Sequence, residues 1–590
     1  MKISSLTISA LQNGYRKGDF TPVDTVREIF CRIRAYQHNP IWIQILSEDQ
    51  VIEQAKSLQE DRSLFGIPFA IKDNIDVAGI PTTAGCPAFS YVPNETAAVV
   101  QKLLEAGAIL IGKTNLDQFA TGLVGTRSPY GACHSVFSDQ FISGGSSSGS
   151  AVAVASGLVS FALGTDTAGS GRVPAALNNI VGLKPTIGIL STGGIIPACR
   201  SLDCVSVFAL TVGDAEKVLI NALTEKPLSR WERNCRNCLN RSARIGTLTD
   251  LQAIDEQFRP AYEQAIQRLL KMGHTIVETD IGPFLETAKL LYDGPWLAER
   301  FAAVGAFIKE HPDKTHPVVR DIILSGEQFS AAEAFKGQYR LKRLKELTAL
   351  TWDFIDFLCL PTVPGTYRIS QVFEDPVLLN SRLGRFTNFL NLLDLAAVAV
   401  PAAHVDKLPF GISFIGPAYA DIGLLKISKD FLQSLRPMLG GTQTVYPEAE
   451  ESLWRPTDKT CIGVVGAHLS GLALNHQLTS RAARHVRTTV TAPCYRLFAM
   501  RGTNPSKPGL VRTREGSTIE IEIWELSYEA FGSFVAEVPS PLTIGTILLA
   551  DGESVKGFLC EAIALDGAQD ISEFGGWRKF LESSGSLLQC

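Results

Sequence analysis

The sequence predicts an α/β fold, in which helices flank a mixed, largely parallel sheet, followed by a separate, small β-rich domain. Helices of small residues alternate with Val-, Ile- and Leu-rich runs up to about residue 225, which is typical of a sheet covered by helices. Residues 436–458 are polar and rich in Gly, Pro and Glu, as linkers are. The runs after residue 459 are short, β-type and separated by turn residues.

We therefore expect a first domain over residues 1–440, a linker over 441–458 and a C-terminal domain over 459–590. Residues 1–60 are predicted to be helical, and AVVQKLLEAGAILIGKTN reads as a helix followed by a strand. The strand–helix pattern resumes at RIGTLTD, residues 283–350 are mostly helical, and LCLPTVPG and LLDLAAVAVPAA are apolar strands that end at prolines.

Composition narrows the functional class. The 590-residue chain has a formal net charge of −5, which argues against nucleic-acid binding because such proteins usually present a basic face. Residues 1–20 lack the apolar core of a signal peptide, and no apolar stretch reaches the roughly 20 residues that span a membrane. The 12 cysteines are expected as free thiols in the cytoplasm. Cys235 and Cys238 form a CxxC without a second ligand pair, so we expect a surface loop and no metal site.

The chemistry is concentrated in residues 143–186, where glycine and serine are unusually frequent. The apolar run AVAVASGLVSFALG argues against a flexible linker, and neither the Walker pattern nor the dinucleotide fingerprint is present. A serine in a Gly-rich turn lies near backbone N–H groups that can stabilise the oxyanion of an acyl-transfer intermediate. The predicted oxyanion turn consists of Thr167, Ala168, Gly169 and Ser170.

A serine nucleophile in this turn needs a base. The nearest histidine is His134, and no G-x-S-x-G elbow frames the serine. Lys72 follows an apolar strand in PFAIKDNIDVAG, where burial can keep its amine neutral. Lysine is therefore the favoured base.

Several long, ordered motifs resemble those of the amidase signature family over about residues 20–435. They are GIPFAIKDNIDVAGIPTTAG, GAILIGKTNLDQFATG, GGSSSGSA, LGTDTAGSGR and GLKPT. The resemblance implies a proton relay in which Lys72 is the base, Ser146 the bridging serine and Ser170 the nucleophile. Two departures are visible, because Ser148 stands where the family often has Gly, and DTAGSGR replaces the commoner DTGGSIR. The three catalytic positions are retained.

Within that family the sequence is similar to the allophanate hydrolases. DTAGSGRVPAALNNIVGLKPT and FATGLVGTRSPYG carry this similarity, together with the C-terminal GAHLSGLALNHQLTSRAARHVRT, KPGLVR, VKGFLCEA and ISEFGGWRKFL. The resemblance implies a C-terminal domain like the γ-glutamyl cyclotransferase fold, no cofactor and a homodimer. It also implies hydrolysis of allophanate to ammonia and carbon dioxide, with a link to urea carboxylase or a biuret-producing pathway.

The same resemblance assigns further residues. Tyr292 and Arg300 would recognise the substrate carboxylate, which suits the planar fork of a guanidinium, and Gly122 would contact the substrate through its backbone. In the family the C-terminal domain is associated with decarboxylation of N-carboxycarbamate. His476 is the favoured catalytic residue there, ahead of His468.

Other functions stay open at this point. A general amidase, or the amidase subunit of a tRNA-dependent amidotransferase, would share the first domain but leaves the C-terminal domain unexplained. A non-catalytic binding protein on an amidase fold would be expected to have lost Lys72, Ser146 or Ser170, and all of them are present.

Overall fold

The computed structural model describes residues 3–223, 242–448 and 459–584. The chain divides into two compact units, Met1–Trp454 and Arg455–Cys590. The CxxC pair Cys235 and Cys238 lies outside the described residues. Within the described ranges, no helix combines the length and the apolar character needed to cross a membrane.

The first unit is built on an extended mixed sheet. The sheet strands are β1 Trp42–Ile45, β2 Pro68–Lys72, β3 Ile109–Thr114, β6 Phe161–Asp166, β7 Val181–Lys184, β8 Cys204–Ala209, β9 Arg244–Leu248, β10 Thr275–Thr279, β11 Phe357–Pro361, β12 Ala396–Val405 and β13 Leu408–Gly416. Two further strands, β4 His134–Ser135 and β5 Ser138–Ile142, form a separate hairpin. Eleven described strands form the sheet in the order β1-β3-β2-β6-β8-β7-β12-β13-β11-β9-β10.

The predicted mixed sheet flanked by helices is confirmed. Among the described strands, the parallel pairs are β2–β3, β2–β6, β9–β10 and β9–β11. The pairs of the central strands β6, β8, β7, β12, β13 and β11 are antiparallel, so parallel pairing occupies the two flanks of the sheet. Strand β1 adds an antiparallel edge, and it interrupts the segment that the sequence predicted as helical.

Helices surround this sheet. They are α1 Ile8–Lys17, α2 Pro22–Ala35, α3 Glu48–Lys56, α4 Ala98–Glu105, α5 Ser148–Ala155, α6 Val173–Leu177, α7 Val212–Ala222, α8 Arg259–Lys271, α9 Gly282–Asp293, α10 Trp296–Glu310, α11 Pro317–Leu324, α12 Ala331–Ala349, α13 Ile369–Glu374, α14 Leu378–Leu383, α15 Phe389–Leu392 and α16 Asp421–Leu435. Every residue of α5 is buried, because its small side chains allow close packing on β2 and β6.

The first part of the predicted linker packs against the first unit. Tyr446 is 1% exposed, and its hydroxyl accepts a hydrogen bond from the Val212 N–H. The Gly441 N–H donates to the Ala155 carbonyl at 2.9 Å. Residues 441–448 thus contact the first unit although their composition is polar.

The second unit is β-rich, as predicted. Its strands are β14 Lys459–Val464, β15 Arg484–Val490, β16 Tyr495–Ala499, β17 Pro508–Arg512, β18 Glu520–Ser527, β19 Leu542–Leu548, β20 Ser554–Cys560 and β21 Gln569–Asp570, and its helices are α17 His476–Thr479, α18 Tyr528–Ala536 and α19 Trp577–Ser583. A five-stranded sheet (β15-β18-β14-β20-β19) and a three-stranded sheet (β17-β16-β21) form it. Its core is a separate apolar cluster that includes Trp524, Phe534, Phe558 and Trp577.

Candidate active site

Two neighbouring parallel strands bring the candidate base and nucleophile together. Strand β2 ends at Lys72, and β6 ends at Asp166, four residues before Ser170. Because β2 and β6 pair in parallel, their carboxyl ends meet at one edge of the sheet, where α/β proteins commonly place their sites. Ser146 comes from the turn that leads into α5, and the Gly145–Ser146 peptide is cis.

The three side chains form a continuous hydrogen-bonded chain. Lys72 Nζ donates to Ser146 Oγ at 2.7 Å, and Ser146 Oγ donates to Ser170 Oγ at 2.8 Å. Lys72 and Ser146 are 0% exposed and Ser170 is 2% exposed. The chain is therefore short, aligned and shielded from water, as a proton relay requires.

The neighbouring serines are used differently. The Ser147 hydroxyl donates to the Thr165 carbonyl at 3.2 Å, and the Ser148 hydroxyl to the Asn115 carbonyl at 3.4 Å. The histidine considered as an alternative base also lies elsewhere, because His134 is engaged by Asn39 at 3.2 Å. Among the described residues, Ser146 is the serine that joins Lys72 to Ser170.

Burial sets the protonation of the lysine. It lowers the pKa of Lys72 from 10.5 to about 7, against the opposing fields of Asp117, Asp203 and Asp166. The amine also contacts Thr165 Oγ1 at 2.9 Å. A substantial fraction of Lys72 is therefore neutral near pH 7 and can accept a proton.

A buried ion pair fixes the turn that carries Ser170. Asp166 Oδ1 and Oδ2 each accept a 2.9 Å hydrogen bond from the Arg172 guanidinium. Burial alone would raise the pKa of Asp166, but Arg172 holds it below its ordinary value. Asp166 also accepts the N–H groups of Gly169 and Gly171, so it closes the backbone on both sides of Ser170.

These contacts change the predicted oxyanion turn. The Gly169 N–H donates to Asp166 Oδ1 at 2.9 Å and is not available to a substrate. In the part of the chain that the structure describes, the N–H groups of Thr167, Ala168 and Ser170 have no protein acceptor. Gly169 has a packing role instead, because its φ is +137° and a Cβ there would lie 2.4 Å from Thr387 Oγ1.

Asp203 supports the same turn from β8's side of the site. Its carboxylate accepts hydrogen bonds from Thr167 Oγ1 and from the N–H groups of Ala198 and Cys199. Burial raises the pKa of Asp203 to about 6. Asp203 interacts electrostatically with both Lys72 and Arg300, which links the hydrogen-bonded Lys72–Ser146–Ser170 chain to the predicted carboxylate site.

The three predicted substrate-binding residues lie near one another. Arg300, on α10, is 1% exposed, and its guanidinium carbon lies 5.5 Å from the centre of the Tyr292 ring at the end of α9. Arg300 Nη1 donates to Thr121 Oγ1 at 3.2 Å, next to Gly122. A Cβ at Gly122 would lie 2.6 Å from Asp117 Oδ2, so this loop accepts only glycine there.

The two C-terminal histidines have contrasting environments. His476 is exposed at the start of α17, and its Nδ1 lies 2.9 Å from the Ala473 carbonyl oxygen. His468 is buried, stacks on Phe558 at 5.0 Å and contacts Gln477 Oε1 at 2.9 Å. Burial lowers the pKa of His468. Among the described residues, no group of three or more His, Cys, Asp or Glu is placed to hold a metal ion.

Sequence reasoning missed the supporting charges. Asp166 and Arg172 flank Ser170 in DTAGSGR, and their opposite charges around a glycine turn were a usable signal. Asp117 and Asp203 gave no local signal in the sequence, because the fold alone brings them close to the candidate site.

A serine hydroxyl bonded through a second serine to a buried lysine, at the carboxyl edge of a mixed α/β sheet, defines a serine-type amidohydrolase. Comparison with known families agrees. The Amidase family model matches residues 24–425, and the chain belongs to that family. Residues 460–582 match the allophanate hydrolase C-terminal domain.

Several relatives resemble the chain over both units. The urea amidolyase of Saccharomyces cerevisiae is 42% identical over 92% of this chain, and the match covers 31% of that protein. The chain thus spans about a third of the length of the curated urea amidolyases it matches. The solved Kluyveromyces lactis allophanate hydrolase is 39% identical, with a TM-score of 0.73, and the match covers 98% of this chain and 99% of that one.

A more distant group resembles the first unit. A glutamyl-tRNA(Gln) amidotransferase subunit from Prochlorococcus marinus is 30% identical over 73% of this chain and 98% of its own length.

Proposed function

We propose that the chain hydrolyses allophanate to ammonia and carbon dioxide. One observation carries the proposal: the Lys72–Ser146–Ser170 hydrogen-bonded chain occurs in the same polypeptide as a match to the allophanate hydrolase C-terminal domain. An amidotransferase subunit or a general amidase accounts for the first feature but not for the second.

The first step is attack by Ser170 on the terminal amide carbonyl. Neutral Lys72 accepts the proton of the Ser146 hydroxyl, and Ser146 in turn accepts the proton of Ser170. For this transfer each of the two short hydrogen bonds must run in the opposite direction to that in the resting site. The relay then returns the proton to the departing nitrogen, and ammonia leaves. Water attacks the acyl-enzyme by the same relay, which gives N-carboxycarbamate.

Backbone N–H groups stabilise the oxyanion of each tetrahedral intermediate. We assign this role to Thr167, Ala168 and Ser170, whose N–H groups lack protein acceptors among the described residues. Asp166 and Asp203 hold this turn before substrate arrives, so no reorganisation is needed when charge develops.

Arg300 is the proposed partner of the substrate carboxylate, with Tyr292 beside it and Gly122 presenting backbone. A buried guanidinium can bind a carboxylate bidentately and holds it more strongly than an exposed one would. The reacting amide then lies at the other end of the small substrate, near Ser170.

Loss of carbon dioxide from N-carboxycarbamate is assigned to the second unit. His476 is the proposed catalytic residue, since it is exposed and its Nε2 is not engaged by another described residue. The buried His468 is the matched control, because its ring is packed between Phe534 and Phe558. We also propose a first domain over residues 1–440, a linker over 441–458 and a C-terminal domain over 459–590.

Cellular context follows from this chemistry. An enzyme that carboxylates urea, or a pathway that yields biuret, would supply the substrate. The nine described free cysteines fit the reducing cytoplasm. A homodimer is expected by analogy with the allophanate hydrolases, and light scattering of the purified chain tests it directly.

The deciding experiment measures ammonia release from purified protein. Allophanate, urea, biuret, malonamide and glutamine are compared side by side, with Ser170→Ala as the inactive control. The proposal requires allophanate to have the highest kcat/KM. Preference for glutamine would favour the amidotransferase alternative, and full activity of Ser170→Ala would exclude the assigned nucleophile.

A further inference from the structure

A second buried arginine lies beside Arg300. Arg127 is 2% exposed, and its Nη1 donates to the Thr121 carbonyl at 3.1 Å, while Arg300 Nη1 donates to the Thr121 hydroxyl at 3.2 Å. Both guanidinium groups therefore contact the residue that precedes Gly122. Arg127 also interacts electrostatically with Tyr292 and Arg300.

The two guanidinium groups differ from that of Arg172 in having no direct ion pair among the described residues. Within residues 3–223, 242–448 and 459–584, no carboxylate lies within ion-pair distance of Arg127 or Arg300, whereas Arg172 is paired with Asp166 at 2.9 Å. The Nε atoms of both Arg127 and Arg300 are buried without any hydrogen-bond acceptor. Burying an unpaired charge costs several kcal/mol, so such a pair is typical of a site completed by an anion.

The nearest acidic group does not meet this need. Asp117 Oδ1 and Oδ2 accept the N–H groups of Arg127, Val124 and Gly125, which holds the loop that carries Gly122. His316, also close to Arg127, has a buried Nδ1 without a partner, and burial and then Arg127 lower its pKa. The loop is thus fixed around two buried guanidinium groups that form no ion pair with any carboxylate of the described residues.

We propose that Arg127 is a specificity-determining residue that binds the substrate carboxylate together with Arg300. This inference rests on the proposed function. A carboxylate offers about four lone-pair positions, enough for two guanidinium groups. A neutral amide would leave two buried cations unpaired, so the pair selects anionic substrates by penalising neutral ones.

The test uses a matched pair of ligands. Malonamate carries a CH2 in place of the central NH of allophanate and keeps the carboxylate, and malonamide replaces that carboxylate by a neutral amide. Binding of malonamate is measured by calorimetry in a full-length Ser170→Ala background, and kcat and KM for allophanate and malonamide are measured with active Ser170. Arg127→Gln, Arg127→Lys and the exposed control Arg340→Gln are compared.

Arg127→Gln should weaken malonamate binding roughly 30-fold or more, as expected for loss of one partner of a buried charge pair. KM for allophanate should rise more than kcat falls, whereas KM for malonamide should not rise, because the variant removes one of the cations that a neutral amide leaves unpaired. Arg127→Lys should lose less, and it decides the matter if Arg127→Gln does not fold. Unchanged malonamate affinity, or equal losses for malonamate and malonamide, would overturn the proposal. If wild type prefers another amide, the proposed function fails, yet the binding measurement still reports on the two arginines.

Discussion

The protonation of Lys72 gives the sharpest prediction. With a pKa of about 7, on the order of half of the Lys72 amines are neutral at pH 7. An ordinary lysine would be neutral in roughly one molecule in 3,000 at that pH. Burial therefore increases the neutral fraction of Lys72 about a thousandfold. Because the proposed relay needs neutral Lys72, kcat/KM should rise with pH through about 7 and level off above it.

The assay is ammonia release from malonamide between pH 5 and 9, since this substrate has no ionisable carboxylate of its own. Lys72→Arg should lose several orders of magnitude in kcat, because guanidinium stays protonated and cannot act as a base. Retained activity in Lys72→Arg, or a flat profile across this range, would refute the assigned relay.

A substitution at Asp203 tests whether the fall of kcat/KM at low pH, the acidic limb of the profile, reports protonation of Lys72. Burial raises the pKa of Asp203 to about 6, so its own titration is the competing explanation. The Asp203 carboxylate raises the pKa of Lys72, so Asp203→Asn should move the limb to lower pH. Disappearance of the limb in Asp203→Asn would assign it to Asp203 instead.

Other changes should separate the remaining roles. Ser146→Ala should lower kcat about 10²–10⁴-fold by breaking the relay, whereas Ser147→Ala should lose far less; equal losses would contradict the bridge. Arg300→Gln should cost roughly 2–5 kcal/mol in kcat/KM for allophanate and little for malonamide, and equal costs would indicate a scaffold role. A chain ending at residue 454 should release the first ammonia but prolong the life of N-carboxycarbamate in carbon-13 NMR, and His476→Ala should do the same. An unchanged lifetime would exclude decarboxylation by the second unit.

Local motifs singled out residues that the fold brings together in the candidate site. Lys72 at the end of an apolar strand and Ser170 in a glycine turn each had a local signature, and the parallel pairing of β2 and β6 brings both to one edge of the sheet. Ser146 was harder, because Ser147 and Ser148 have the same local chemistry. Its position 24 residues before Ser170 came from family resemblance, and only the fold shows which of the three hydroxyls faces the lysine.

The surroundings of the site could not be predicted in this way. Asp203 reaches Thr167 across 36 residues of sequence, and Arg300 reaches Thr121 across 179. Such contacts depend on how β8 and α10 pack and leave no periodic pattern. The role of Gly169 was misassigned for a related reason, because its N–H is claimed by Asp166 only once the turn has closed.

The arginine that pairs with the substrate carboxylate also affects the pKa of Lys72 when an anionic substrate binds. Asp117, Asp203 and Asp166 already raise the pKa of Lys72 against the effect of burial, and an unpaired substrate carboxylate would raise it further. Pairing that carboxylate with Arg300 offsets its field, so Lys72 can stay neutral when the anion binds. In wild type the fall of kcat at low pH should therefore occur at a similar pH for allophanate and malonamide. In Arg300→Gln the limb should move to higher pH with allophanate alone, because only that substrate brings a negative charge. The same shift with malonamide would mean that Arg300 acts on Lys72 directly, without the substrate carboxylate.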